Sequence, residues 1–205
     1  MTPYDRRCID RWLRAVRPYA RPFPTLRASA SALLVIDMQE YFASLCKPIV
    51  ATVAHAVATC RARGATVVLT QHGHSDPATD GGKLSSWWGD LIIEGSHDHQ
   101  LIPALEVHPD DPIIRKKRYS AFFETELDHL LKRRGIENVA IAGVMTNLCA
   151  ETTARDAFIR DYRVHVLLDA TATTSEEMHV ASLVNLAFGF AHVTTTAEWL
   201  HALQS

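Results

Sequence analysis

The order of apolar and polar residues divides the chain into alternating strand-like and helix-like segments. Strand-like runs lie near Leu33, at residues 65–70, near Ile113, Val139 and Val164, and at residues 192–195. Helical spacing predicts helices over residues 48–63, 124–134, 148–160 and 176–188, followed by a terminal helix. Repeated β-then-α units build parallel sheets with right-handed crossovers. The pattern therefore predicts an α/β fold with three layers, α/β/α, around a mainly parallel, Rossmann-like sheet of about six strands.

The length and composition indicate one folded domain preceded by an arm. Of the 205 residues, 47% are hydrophobic and 21% are charged, which suffices for one sizeable core but not for two ordinary domains. Residues 1–28 form the predicted N-terminal arm, rich in Arg and Pro, and residues 29–205 form the domain. The arm carries Trp12, Tyr19 and Phe23, whose aromatic surface needs a cover. We expect the arm to dock on its own subunit or on a neighbouring one.

Charge and hydropathy narrow the range of functions. The formal net charge is −2, and Lys and Arg are scattered outside the arm and the segment around Lys116, so nucleic-acid binding is not expected. No apolar run approaches the roughly twenty residues of a membrane span, and the N-terminus lacks the apolar core of a signal peptide. We therefore expect a cytoplasmic protein without a membrane partner. The four cysteines show no C-x-x-C pair or framework spacing, which favours reduced thiols.

Three chemically active side chains stand at the ends of predicted strands. Asp37 closes the apolar run that begins at Ala32, and Lys116 follows the strand at Ile113. Cys149 lies where the strand at Val139 gives way to a helix, a place where backbone N–H groups can stabilise a thiolate. Each residue also has a structural interpretation, as a helix cap, a solvated turn and a buried apolar thiol respectively. Acid, ammonium and thiol at the same edge of a parallel sheet together favour a catalytic site.

Three motifs in this order resemble the isochorismatase-like cysteine hydrolases, which include nicotinamidase, N-carbamoylsarcosine amidohydrolase, and the ureidoacrylate and biuret hydrolases. The resemblance extends from about Leu33 to Trp199. The motifs are Leu34-Val35-Ile36-Asp37-Met38-Gln39, Lys116-x-x-Tyr119-Ser120-Ala121-Phe122, and Gly143-Val144-x-Thr146-x-x-Cys149 with Glu151-x-Thr153-x-Arg155-Asp156-Ala157.

This resemblance implies an Asp-Lys-Cys triad of Asp37, Lys116 and Cys149. Lys116 is chosen over Lys117 because the family lysine stands three residues before the motif tyrosine, here Tyr119. The family also implies a cis peptide at Val144–Met145. Its oxyanion hole would be formed by the backbone N–H groups of Met145 and Cys149.

The implied activity is hydrolysis of an amide, ureido or carbamoyl C–N bond of a small molecule through a covalent acyl-enzyme. No cofactor is required, and the family habit predicts a homodimer or homotetramer. The alternatives are the vinyl-ether hydrolysis of isochorismate and a non-catalytic binding role. Isochorismatases of the phenazine and siderophore pathways carry Gly in place of the nucleophile, and a binding subunit would be expected to lose a triad residue. The thiol and the complete triad favour C–N hydrolysis.

The long polar excursion over residues 71–111 is expected to contribute a lid or binding loop. It holds the pair Trp87 and Trp88, which could line a pocket or fill a core. The predicted substrate-binding residues are Phe42, His74, Trp87, Trp88, Tyr119, Phe122 and Val144. His72 and His74 could suggest a metal, but nicotinamidases have Asp where this chain has His72. We therefore predict no metal site and a substrate-facing or structural role for the two imidazoles.

Overall fold

The computed structural model describes residues 4–22 and 24–204 and is built around two parallel sheets. The strands are β1 Leu26–Arg27, β2 Ser31–Ile36, β3 Thr66–His72, β4 Ile113–Lys116, β5 Asn138–Val144, β6 Arg163–Ala172, β7 His192–Thr194 and β8 Leu203–Gln204. The main sheet has six strands in the order β4-β3-β2-β5-β6-β7, and every pairing is parallel. A small second sheet joins β1 to β8, also in parallel. The predicted fold class is confirmed.

Helices cover both faces of the main sheet. They are α1 Arg6–Val16, α2 Ala43–Cys46, α3 Val50–Ala62, α4 Pro77–Asp80, α5 Lys83–Trp88, α6 Leu127–Arg133, α7 Glu151–Ile159, α8 Glu176–Gly189 and α9 Thr196–Ala202. One core layer joins the sheet to α1, α6, α7 and α8, and the other joins it to α2, α3 and α9. Strands β2 and β5 are buried along their whole length because both of their faces are covered.

The centre of the main sheet is the point where the strand order changes direction. From β2 the chain proceeds through β3 to β4 on one side, and from β5 through β6 to β7 on the other. Open α/β sheets bind ligands in the crevice beyond the carboxyl ends of the strands at such a point. Gly143 on β5 has φ +105°, and a Cβ there would collide with the backbone of Ile36 on β2. The absence of a side chain at Gly143 allows the two strands to approach closely beneath the site.

The described part of the N-terminal arm, residues 4–22 and 24–28, packs against its own chain. Helix α1 is capped by the Asp5 carboxylate, which accepts a hydrogen bond from the Cys8 N–H at 2.8 Å. Trp12 is buried in the core layer shared with α8, and the half-exposed Tyr19 ring meets Phe188 with centroids 5.6 Å apart. Phe23 lies outside the described residues. Of the two expected arrangements, packing on the same subunit or on a neighbouring one, Trp12 therefore adopts the first.

Within the described residues, no single helix is both long and apolar enough to cross a membrane. One sharply bent pair, Glu40–Cys46 with Val50–Ala62, passes the same criteria together, by length and composition only.

Candidate active site

Asp37 is the first residue beyond β2 and is completely buried. Its backbone adopts the left-handed region, with φ +46°. Thr70 on the adjacent strand β3 donates from its hydroxyl to Asp37 Oδ1 at 2.5 Å and accepts the Asp37 backbone N–H at 3.0 Å. This pair of hydrogen bonds fixes the carboxylate and leaves Oδ2 directed to a different partner.

Lys116, the last residue of β4, provides that partner. Its Nζ lies 2.7 Å from Asp37 Oδ2, 3.4 Å from Cys149 Sγ and 3.0 Å from the Arg118 carbonyl oxygen. Both charged side chains of the ion pair are fully buried. Burial alone would lower the pKa of Lys116, but Asp37 and Cys149 outweigh it and raise the pKa. The lysine is therefore held as an ammonium ion between the acid and the sulfur.

Cys149 lies in a π-helical turn, Thr146–Ala150, that connects β5 to α7. The peptide bond Val144–Met145 just before this turn is cis, as the resemblance implies. Burial raises the pKa of Cys149 to about 12; Lys116 acts in the opposite direction, and the hydrogen-bonded Asp37 carboxylate adds to the increase. Cys149 is thus a neutral thiol, whereas its position at a helix start suggests a stabilised thiolate. Desolvation is the stronger effect because the sulfur is almost completely shielded from water.

A cavity of about 600 Å³ opens directly onto this thiol. Its walls are mainly aromatic and aliphatic, and Asp90 is the charged residue among them. The lining residues are Tyr41, Phe42, Ser44, Leu45, His72, Leu84, Trp88, Asp90, Leu91, Ile92, Tyr119, Met145, Asn147, Leu148, Cys149, Thr174 and Met178. A largely apolar pocket with a few polar groups beside a reactive side chain is typical of small-molecule sites.

The predicted substrate-binding residues divide into two groups. Phe42, Trp88 and Tyr119 line the cavity, and Trp88 Nε1 donates to the Tyr119 hydroxyl at 2.9 Å. Met145 and Cys149, whose N–H groups are the predicted oxyanion donors, line it as well.

The structure places the other predicted residues outside the lining. Trp87 is 79% exposed and is not among the residues that line the cavity, and Val144 is buried within the sheet. Phe122 belongs to the core, where it stacks on Tyr162 with centroids 6.0 Å apart and lies under Arg160.

His74 is also a structural residue. Its buried ring bonds through Nδ1 to Asp80 Oδ1 at 3.0 Å, and Asp80 in turn pairs with Lys117 at 2.8 Å. His72, by contrast, lines the cavity. Burial first, and then the Lys116 charge, lower the pKa of His72 to about 3, so its ring is neutral. Across the described parts of the chain, no group of three or more His, Cys, Asp or Glu side chains is arranged to hold a metal ion.

Several site residues were not predicted from the sequence. Thr70 holds the Asp37 carboxylate, and Asp90 accepts a hydrogen bond from Tyr41 at 3.3 Å at the cavity wall. Thr70 could have been found, because it ends the apolar run of a strand adjacent to the Asp37 strand. Asn147 and Met178 carry no such signal, since they reach the cavity only through the packing of α8 against the π-helical turn.

Together, the parallel sheet and the buried carboxylate, ammonium and thiol at its carboxyl edge define an α/β cysteine hydrolase. A family model described as the Isochorismatase domain matches residues 31–198. The chain belongs to the isochorismatase family.

Relatives agree with this assignment. Nicotinamidase 3 of Arabidopsis thaliana is 47% identical over 166 residues, covering 80% of this chain and 83% of that protein. The ureidoacrylate amidohydrolase RutB of Enterobacter sp. (strain 638) is 33% identical over 210 residues, covering 87% of this chain and 91% of the relative. The crystal structure of a cysteine hydrolase from Pseudomonas syringae pv. phaseolicola 1448A superposes with a TM-score of 0.83 at 28% identity, covering 89% and 97% of the two chains.

Proposed function

We propose that this protein is a cysteine amidohydrolase that cleaves the C–N bond of a small, neutral carboxamide through a thioester acyl-enzyme. The observation that supports it best is the contact of one buried ammonium group with both a carboxylate and a thiol. The Lys116 Nζ atom lies 2.7 Å from Asp37 Oδ2 and 3.4 Å from Cys149 Sγ. A small-molecule partner and a cytoplasmic location belong to the same proposal.

The steps follow from the protonation states. Asp37 takes the proton of the Cys149 thiol as the sulfur attacks the carbonyl carbon of the amide. The carbonyl oxygen becomes an oxyanion, for which the N–H groups of Met145 and Cys149 are the proposed donors. Asp37 then returns the proton to the leaving amine as the C–N bond breaks. Water attacks the thioester next and gives a proton to Asp37; as the C–S bond breaks, that proton returns to the sulfur, so the acid is released and the Cys149 thiol is regenerated.

Lys116 acts as a fixed positive charge during these steps. Its contacts to Asp37 and Cys149 stabilise the charge that moves from the carboxylate to the sulfur. The raised pKa of Lys116 means that the ammonium remains charged throughout. Since the resting thiol has a pKa of about 12, attack requires transfer of its proton to Asp37 as the bond to carbon forms.

The charge of the cavity favours a neutral substrate. Among the described residues that line it, Asp90 carries a charge, and no Lys or Arg is present. A substrate carboxylate would therefore enter a largely apolar cavity without a cationic partner, which is unfavourable. The aromatic walls formed by Phe42, Trp88 and Tyr119 suit a planar ring. A neutral planar amide such as nicotinamide, the substrate in the name of one relative, fits these features better than a ureido acid does.

The same argument weighs against isochorismate, which carries two carboxylates. A non-catalytic binding role is also disfavoured, because the three triad side chains are all present and in contact. Neither alternative accounts for a thiol at the base of the cavity.

The test is a panel of nicotinamide, benzamide, ureidoacrylate and isochorismate, with release of ammonia or of the isochorismate product as the readout. We expect ammonia from the neutral amides, and an acyl adduct on Cys149 when the reaction is quenched in acid and measured by intact-protein mass spectrometry. Cys149→Ala is expected to remove both signals while keeping the native circular dichroism spectrum. Full turnover by Cys149→Ala, or preferential turnover of isochorismate, would refute the proposal.

A further inference from the structure

The turn that carries Cys149 is anchored at its first residue by a buried histidine. Thr146 Oγ1 and His179 Nδ1 are 2.9 Å apart, and both side chains are buried. Burial lowers the pKa of His179 to about 4, against smaller opposing effects of the Leu168 carbonyl and Glu176. The ring is thus a neutral hydrogen-bond partner, and Thr146 stands three residues before the nucleophile.

The His179 ring also contacts the N-terminal arm. The Trp12 ring packs on the His179 ring with centroids 4.5 Å apart, and Tyr4 meets Trp12 edge-on at 4.6 Å. Trp12 Nε1 also donates to Glu176 Oε1 at 2.8 Å, in the first turn of the same helix as His179. Arg11 pairs with that carboxylate as well. Helix α1 therefore holds the start of α8 and the His179 ring in one position.

Helix α1, which contributes Trp12 to these contacts, lies outside the region matched by the family model. The match to the family model begins at residue 31, whereas α1 spans Arg6–Val16. The mechanism does not use Trp12 or His179, and neither lines the cavity. The contacts nonetheless form an unbroken chain from the arm through Trp12, His179 and Thr146 to the turn that presents the thiol.

We propose that α1 and His179 position the nucleophile: Trp12 fixes the His179 ring, and His179 fixes Thr146 and with it the turn that carries Cys149. His179 is a positioning residue and does not touch the substrate. The inference rests on the proposed role of Cys149 as the nucleophile. Small displacements of a reacting group reduce turnover more than they reduce binding, so the effect should appear in kcat.

The experiment compares His179→Leu with His179→Asn. Asn can place a polar atom near the former Nδ1 position and so keep the bond to Thr146, whereas Leu cannot. We expect His179→Leu to lower kcat about tenfold, with KM changed by less than about twofold, and His179→Asn to restore kcat to within about threefold of the unsubstituted protein. The rate of Cys149 alkylation by neutral iodoacetamide should follow the same order. Thr146→Val removes the other partner of the same bond and is expected to reproduce the Leu result.

A matched control separates positioning from general loss of stability. Trp199→Phe perturbs a buried tryptophan in the other core layer, outside this chain of contacts, and is expected to lower the melting temperature without lowering kcat. If His179→Leu does not fold, Thr146→Val decides the question. Unchanged kcat in Thr146→Val, equal losses in the Leu and Asn variants, or a kcat loss shared with Trp199→Phe would each overturn the inference.

The results that would refute the proposed amidohydrolase function differ from those that would refute the positioning role of His179. In that case Cys149→Ala would retain hydrolysis, or the unsubstituted protein would hydrolyse no amide of the panel. The alkylation rates need no substrate, and they would still report whether His179 positions Cys149.

Discussion

Three buried neutral histidines should make this protein sensitive to mild acid. Burial lowers the pKa of His72 and of His165 to about 3, and that of His179 to about 4. All three are largely shielded from water, so the folded protein cannot charge them without breaking its packing. The unfolded chain has no such restriction.

The sign and size of the change in unfolding free energy follow from the linkage between proton binding and folding. An unfolded histidine has a pKa of about 6.5, so between pH 7 and pH 5 the unfolded chain takes up protons that the folded chain does not. The free energy of unfolding must therefore fall as the pH falls. Each histidine contributes a loss of about 2 kcal/mol over this range, and the three together about 6 kcal/mol. His99 and His192, whose pKa values are also lowered by burial, act in the same direction, and the raised pKa of Asp169 opposes them.

The assay is urea unfolding at pH 7 and pH 5, followed by tryptophan fluorescence. The matched variant is His179→Asn, in which one of the three titrating rings is removed. Its loss of unfolding free energy between the two pH values should be smaller than that of the unsubstituted protein by about 2 kcal/mol. An identical loss in both proteins, or a stability that is independent of pH over this range, would refute the reasoning.

Three further outcomes are expected. Thr70→Val removes the hydroxyl that donates to Asp37 and should lower kcat about tenfold with little change in KM; an unchanged kcat would show that Lys116 alone fixes the carboxylate. Exhaustive chelation should leave turnover intact, and loss that zinc, iron or manganese restores would contradict this. Light scattering should give the mass of a homodimer or homotetramer. A monomeric full-length protein would rule out the assembly.

The fold and the convergence of Asp37, Lys116 and Cys149 could be predicted because both depend on local features of the sequence. Short apolar runs between helical segments leave few topologies, and parallel strands bring their carboxyl ends to one edge. Asp37, Lys116 and Cys149 each follow such a run. Their convergence is therefore a direct result of the order of the elements.

The cavity wall could not be predicted in the same way, because it depends on which side of each element faces the crevice. Trp87 and Trp88 are adjacent in sequence, yet one is in solvent and the other lines the cavity, since neighbouring residues of a helix point in different directions. Phe122 belongs to a motif near the site, but the motif serves to dock a loop on α7. Ser120 donates to Asp156 at 2.5 Å, and the Ala121 N–H donates to Thr153 at 3.0 Å.

The protonation state of Cys149 was the clearest difference from expectation. Its place before a helix suggested a thiolate, but the first turn is π-helical and the sulfur is buried against a carboxylate. Sequence position shows where a helix dipole acts, whereas the desolvation that opposes it depends on tertiary packing.

The buried pair of Lys116 and Asp37 also limits how this site can change during evolution. Loss of either residue alone would leave the other as an uncompensated charge in the core, which is strongly destabilising. A lineage that abandons catalysis is therefore expected to replace both residues together, or to lose Cys149 first, because the thiol is neutral and its removal leaves the ion pair intact. A descendant of this chain that keeps Lys116 and Asp37 but lacks Cys149 would mark an early stage in the loss of activity. A descendant in which apolar residues replace both Lys116 and Asp37 would mark a late stage.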